Sequence, residues 1–207
     1  MSREHPPTEP REQILDAAAR LFAEKGYGGT GVREIAAEAG VALSMINYYF
    51  GSKQGVLEEL LDRTQGRYIE TVRRAFEDND TLEARIHAWI HGAVVLARDN
   101  CAWIRVAFAD LPREAPGVLE AKARRIKEVA ALIREHLLTP LGREADIPLL
   151  GPALGTMIMS HFMARPMVER ILGALPDDDA FYERYARVIA EQILYGLTGR
   201  RPESSDP

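Results

Sequence analysis

Residues 30–53 read Thr-Gly-Val-Arg-Glu-Ile-Ala-Ala-Glu-Ala-Gly-Val-Ala-Leu-Ser-Met-Ile-Asn-Tyr-Tyr-Phe-Gly-Ser-Lys. Val32, Ile35, Ala36 and Ala39 recur with the helical period and leave Arg33, Glu34 and Glu38 toward solvent. Gly40 then supplies the positive φ that a tight turn between helices requires. Beyond it Val41, Ile46 and Phe50 can pack inward, which turns Leu43, Ser44, Met45, Asn47, Tyr48 and Tyr49 elsewhere. Two short helices hinged on a glycine spell a helix-turn-helix, and exposed small polar and aromatic groups on the second one suit a DNA groove.

The flanking sequence is helical as well. Arg11 to Lys25 places Ile14, Leu15, Ala18, Leu21 and Phe22 on one face and stops at Gly26, with Tyr27 folding back on it. After Gly51-Ser52 a long helix opens near Lys53, its stripe running Val56, Leu57, Leu60, Leu61, Thr64, Tyr68, Val72, Phe76. Leu82 to Leu96 predicts a fifth helix and Trp103 to Leu111 a short one. Val118 to Leu138 follows, then Pro148 to Gly173, which Pro166 must kink or interrupt. Asp177 to Leu197 is the last, with Asp177-Asp178-Asp179 at the end that the helix dipole makes favourable for acids. No segment alternates with period two. The expected fold is all-α, about nine helices. An N-terminal tail over 1–10 precedes a DNA-binding domain over 11–55; a larger helical domain over 56–198 and a tail over 199–207 follow.

A chain of 207 residues, 46% hydrophobic and 28% charged, buries a genuine core, and disorder is expected at its ends alone. One cysteine, Cys101, permits no internal disulfide and fits a reducing cytoplasm. Met1 to Pro10 is polar and proline-rich, unlike a signal peptide, and no 18-residue apolar run is read for a membrane span. The formal charge of −5 argues against nucleic acid when taken globally. The first 60 residues hold six basic against nine acidic side chains, yet residues 39–57 contain Lys53 and no acid. Helix N-termini add N–H donors for phosphate that no charge count records.

Ile14-Leu15-Asp16-Ala17-Ala18-Ala19-Arg20-Leu21-Phe22-Ala23-Glu24-Lys25-Gly26-Tyr27, then Ile35-Ala36, Ala39-Gly40-Val41 and Tyr49-Phe50-Gly51-Ser52-Lys53, resemble the TetR family of bacterial repressors over about residues 11 to 61. The resemblance implies a homodimer with a three-helix DNA-binding domain and a divergent helical domain that binds a small-molecule inducer. Its last two long helices, here about 149–173 and 177–197, would form a four-helix dimer interface. Carried over, the base-reading positions fall on Leu43, Ser44, Met45, Asn47 and Tyr48, with Arg33 reaching base or phosphate. Phosphate contacts fall on Gly31, Tyr49 and Lys53. Gly31 stands where the family commonly has a hydroxyl residue, a role that a backbone N–H or Thr30 can take over. Asn47 stands where many members have tyrosine, and asparagine can pair bidentately with adenine, so the preferred sequence can differ. One short helix reads few base pairs, so a palindromic operator on double-stranded DNA is expected, met by two recognition helices roughly 34–36 Å apart. The fourth helix, read as touching both domains, is the expected lever for release by ligand.

Trp89, His91, Trp103, Phe108, Met157, His161, Phe162 and Arg165 are candidates for an effector pocket, which their aromatic and methionine content would suit to a hydrophobic or amphipathic molecule. Packing in the core or at a dimer interface is the alternative for each. His87 and His91 lie four apart but lack the glutamate and further ligands of a zinc site, and no metal or cofactor is expected. Cys101 has no adjacent His or second Cys to activate it. Lys122, Arg124, Arg125 and Lys127 interleave with Glu120 and Glu128, as on a solvated helix face. No phosphate-binding glycine loop, nucleophile elbow or paired-acid motif is visible, so no catalytic residue is assigned. A ligand-responsive regulator is the leading reading; an all-α enzyme and a helical protein-interaction module are the competing ones.

Overall fold

The computed structural model of the chain describes residues 9–102, 106, 116–143 and 146–199. Among them there are eight α-helices and no strand: α1 Pro10–Gly29, α2 Val32–Ala39, α3 Leu43–Phe50, α4 Lys53–Glu77, α5 Leu82–Asp99, α6 Pro116–Ile133, α7 Ile147–Leu172 and α8 Asp179–Thr198. The fold is all-α, as the periodicity implies. Apart from Val106, the short helix expected over Trp103 to Leu111 lies outside the described residues. The described residues form two compact units, 9–66 with 101, 102, 106 and 116–124 in the first, and 67–100, 125–143 and 146–199 in the second.

The first unit is built around α1. Ile14, Leu15, Ala18, Leu21 and Phe22 are buried against Ile35 and Ala36 of α2, Ile46 of α3, and Val56, Leu57, Leu60 and Leu61 of α4, with Val106 in the same cluster. Burying each large aliphatic side chain stabilises the unit by roughly 1.5–3 kcal/mol. At Gly26 the backbone leaves helical geometry (φ 73°, ψ 163°), and Tyr27 packs back with its ring 5.4 Å from that of Phe22. Thr30 is 2% exposed, and its hydroxyl donates to the carbonyls of Gly26 (2.9 Å) and Leu21 (3.2 Å). Ion pairs rim this core: Arg11 with Glu59 (2.7 Å), Arg20 with Glu38 (3.1 Å), Lys25 with Glu34, and Arg63 with Glu12. Such half-exposed pairs contribute little stability, typically about 0–1 kcal/mol each, but they decide where the charge lies.

In the second unit Phe76 meets Trp89 edge-on at 5.7 Å, and the indole N–H of Trp89 donates to the Tyr68 hydroxyl (3.1 Å). Burial pushes the Tyr68 phenol up to about 12. Arg85 closes the end of α4 by donating to the carbonyls of Phe76 (3.1 Å) and Asn79 (2.8 Å). The helix expected to end before Pro140 runs as α6 to Ile133, loosens into a π turn over Arg134–Leu138 and tightens into a 3₁₀ turn over Thr139–Leu141.

Helix α7 runs unbroken through Pro166, so of the expected kink or interruption the interruption does not occur. It corrects one expectation: it is long and apolar enough, by length and composition, to cross a bilayer, with an 18-residue window of mean hydropathy 1.3. Its glycines, Thr156, Ser160 and His161 break an apolar run to the eye, but no charged residue occurs between Ile147 and Ala164. Asp178 caps α8, accepting the Phe181 N–H at 2.8 Å. Arg165 spends its whole fork on the α7–α8 junction: it donates to Glu169 (2.9 Å), Asp177 (3.0 Å), the Tyr182 hydroxyl (2.7 Å) and the carbonyls of Leu175 (3.0 Å) and Pro176 (3.3 Å).

Candidate DNA-binding interface

The hinge forms as its sequence dictates. Gly40 adopts φ 68°, ψ 28°; its N–H bonds the Ala37 carbonyl (3.2 Å) and the Val41 N–H bonds that of Ala36 (3.0 Å). This paired closure satisfies the last carbonyls of α2 and fixes the angle at which α3 departs. Ile46 anchors α3 and is fully buried, while Val41, Met45 and Phe50 pack at the margin of the same core. Met45, expected to point away with the reading residues, is therefore shared between core and surface. Leu43, Ser44, Asn47, Tyr48 and Tyr49 are exposed, Tyr48 at 82%. The rings of Tyr48 and Tyr49 meet edge-on at 5.1 Å.

Gly55 escapes the sequence reading and is required by the geometry. A Cβ there would lie 2.0 Å from the carbonyl oxygen of Phe50, so only glycine lets the first turn of α4 close on the end of α3. No local pattern signals it, because the contact is created by the turn at Gly51 (φ 72°).

At the start of α2, Gly31 offers no side-chain cap. Glu34 reaches back instead and accepts the Gly31 N–H at 3.5 Å. The Lys25 ammonium bonded to Glu34 holds that carboxyl below its ordinary range. Thr30 is directed inward, its hydroxyl engaged by α1 carbonyls. Lys53 leans on the same junction: its ammonium donates to the carbonyls of Tyr27 and Thr30, both at 2.8 Å, and stands 4.2 Å from the centre of the Tyr27 ring.

Ion pairing takes up acids and bases in equal number and leaves the net charge as it was, so what bears on phosphate is where the remaining charges lie. Glu12, Glu34, Glu38 and Glu59 are each bound to a base on a neighbouring helix, whereas Arg33 is exposed and makes no ion pair among the described residues. The outward side of α3 carries no acid at all. An acidic protein thus presents a face that phosphate can approach.

The effector candidates fall in different surroundings. Trp89 and Phe162 are buried, Met157, His161 and Arg165 half-buried, and His91 exposed; Trp103 and Phe108 lie outside the described residues. His91 lines a cleft of about 140 Å³ with Val95, Arg98, Asp179, Tyr182 and Glu183, smaller than the roughly 300–1,000 Å³ of sites for drug-sized ligands. His161 sits among the rings of Phe162, Phe181, Tyr182 and Tyr185 at 5.0–5.8 Å, and its buried Nε2 has no hydrogen-bond partner among the described residues. Burial, reinforced by the Arg165 charge, lowers the His161 pKa.

A three-helix head whose second and third helices form a glycine-hinged pair, followed by a larger helical unit, defines a helix-turn-helix DNA-binding protein. Residues 14–60 match the family described as "Bacterial regulatory proteins, tetR family". The transcriptional repressor KstR2 of Rhodococcus jostii (strain RHA1) is 39% identical over 100 residues, 44% of this chain and 49% of that protein. "Probable HTH-type transcriptional regulator YttP" of Bacillus subtilis (strain 168) is 24% identical over 84% of this chain and 87% of its own length. The solved structure of FadR from Bacillus subtilis, in complex with stearoyl-CoA, has a TM-score of 0.69 at 20% identity over 92% of this chain and 99% of that one. That last likeness is one of fold. Residues 14–60 thus match the DNA-binding head of the tetR family, and the chain is a DNA-binding transcriptional regulator similar to members of that family.

Proposed function

We propose that the protein is a homodimeric repressor acting by binding rather than catalysis: it holds a palindromic operator in the cytoplasm and is released by a hydrophobic or amphipathic small molecule. The observation that carries the reading is the acid-free outer face of α3, where Ser44, Asn47 and Tyr48 stand exposed on a helix anchored by one buried isoleucine. Asn47 is the residue suited to bidentate pairing with adenine, and Leu43 and Tyr48 to apolar contact with thymine methyls. Arg33 and Tyr49 are assigned to flanking phosphates.

Dimerisation is supported by the apolar surface of the last two helices. Met163, Met167 and Ile171 follow one another four residues apart on α7, Leu172 extends them, and Val188 and Tyr195 stand seven apart on α8, all exposed. A stripe of this kind marks an interaction surface. The hydrophobic effector is supported by the aromatic and methionine side chains of α7, and by FadR, whose structure holds stearoyl-CoA.

The test begins with duplexes that the protein selects from a random library. Asn47→Ala and Tyr48→Ala are expected to weaken binding to the selected duplex by about tenfold or more, since each good base contact is worth roughly 1–3 kcal/mol. Both variants should keep the wild-type melting temperature. Undiminished affinity in both would remove α3 as the reading helix.

A further inference from the structure

We propose that Lys53 is a positioning residue that sets the α2–α3 pair through the backbone, and that it does not act as a phosphate contact. An ammonium has three N–H donors. Two are given to the carbonyls of Tyr27 and Thr30 at 2.8 Å, and the charge rests 4.2 Å from the Tyr27 ring. Those carbonyls belong to the end of α1, beyond its break at Gly26, and to its cap; the Tyr27 carbonyl also accepts the Thr30 N–H at 3.4 Å, and its second lone pair takes the ammonium. Lys53 is also the first residue of α4, where the helix dipole disfavours positive charge. The lysine thus serves the junction it reaches rather than the helix that carries it.

What it reaches is the threshold of the reading unit. Thr30 is followed by Gly31, the N-cap of α2, and the closure at Gly40 transmits the placement of α2 to α3. Two residues further along α4, Gly55 abuts the Phe50 carbonyl at the far end of α3. The first turn of α4 therefore grips the pair at both ends, through Lys53 at its start and Gly55 at its finish. The inference rests on residues 30–53 being the segment that contacts DNA.

A phosphate contact and a brace predict different losses. Removing a phosphate-bound charge weakens binding to all duplexes alike and lowers the salt dependence; a brace weakens only the sequence the helix was aimed at. In the full chain, Lys53→Met is expected to lose about tenfold or more on the selected duplex, with affinity and salt slope on a random duplex unchanged, each good base contact that is lost counting for about that much. A merely destabilising change would lower both affinities together. In the free protein, hydrogen exchange at the amides of 28–33 is expected to quicken. If Lys53→Met does not fold, Lys53→Gln, equally uncharged, takes the same measurements. Equal weakening on both duplexes with the salt slope reduced by about 0.9 per copy, or unchanged amide exchange, overturns the proposal. A wild-type chain that selects no duplex overturns the DNA-contact reading itself, and is recognised before any variant is made.

Discussion

At the scale of single residues, the geometry of Gly55 sets two effects against each other. Alanine in a helix is ordinarily favoured over glycine by roughly 0.5–1 kcal/mol, but its Cβ here would stand 2.0 Å from the Phe50 carbonyl, a backbone atom that cannot swing away. Overpacking of this kind costs about 1–3 kcal/mol, so Gly55→Ala is expected to lower the denaturation midpoint at constant slope and to weaken operator binding as α3 shifts. The exposed Tyr48 and Asn47 behave oppositely, affecting binding and not stability. Such a division was legible in the sequence for α3, where period and polarity separate Ile46 from its neighbours. It was not legible for Gly55, Thr30 or Lys53, whose partners lie on other elements.

At the scale of helices, capping and burial give two measurable quantities. Asp178 accepts the Phe181 N–H at the start of α8, and Asp178→Ala is expected to cost about 1 kcal/mol, read as a lower unfolding midpoint. His161 on α7 gives a pH dependence. Its pKa in the folded chain is lowered from 6.5 by burial and then by Arg165, while Glu169 and Asp177 act in the opposite direction. Below about pH 6.5 the unfolded chain binds a proton that the folded chain refuses, so stability declines as pH falls through the lowered folded value and is fully present above 6.5. His161→Phe should flatten that decline in urea titrations between pH 5 and about 7; an unchanged profile would assign it to other groups. Periodicity located α7 and α8 well, and the acidic start of α8 announced its cap. Of the five bonds of Arg165 only that to Glu169 follows helical spacing; the other four depend on the turn the chain makes after Gly173, which no spacing encodes.

At the scale of the molecule, the proposed repression depends on a second copy. The exposed stripe on α7 and α8 is expected to close a dimer, so Met167→Glu with Ile171→Glu should yield a monomer by sedimentation. Losing one half-site should lower operator affinity by about a thousandfold or more, the lower end of the range by which specific binding exceeds nonspecific. A dimer that persists in this variant would move the interface elsewhere. The sequence by itself determined the helical class, the hinged pair at residues 30–53 and the resemblance of the head to the tetR family, because helical period, a left-handed glycine and local polarity are properties of neighbouring residues. Tertiary structure alone decided which charges remain free to meet phosphate. Formal charge counts Glu12, Glu34, Glu38 and Glu59 against DNA binding, whereas folding pairs each with a base on another helix. It decided Lys53 in the same way, drawing a side chain that looked ready for phosphate onto carbonyls more than twenty residues earlier, because a carbonyl oxygen has two lone pairs and the fold brings those of Tyr27 and Thr30 within reach of the ammonium.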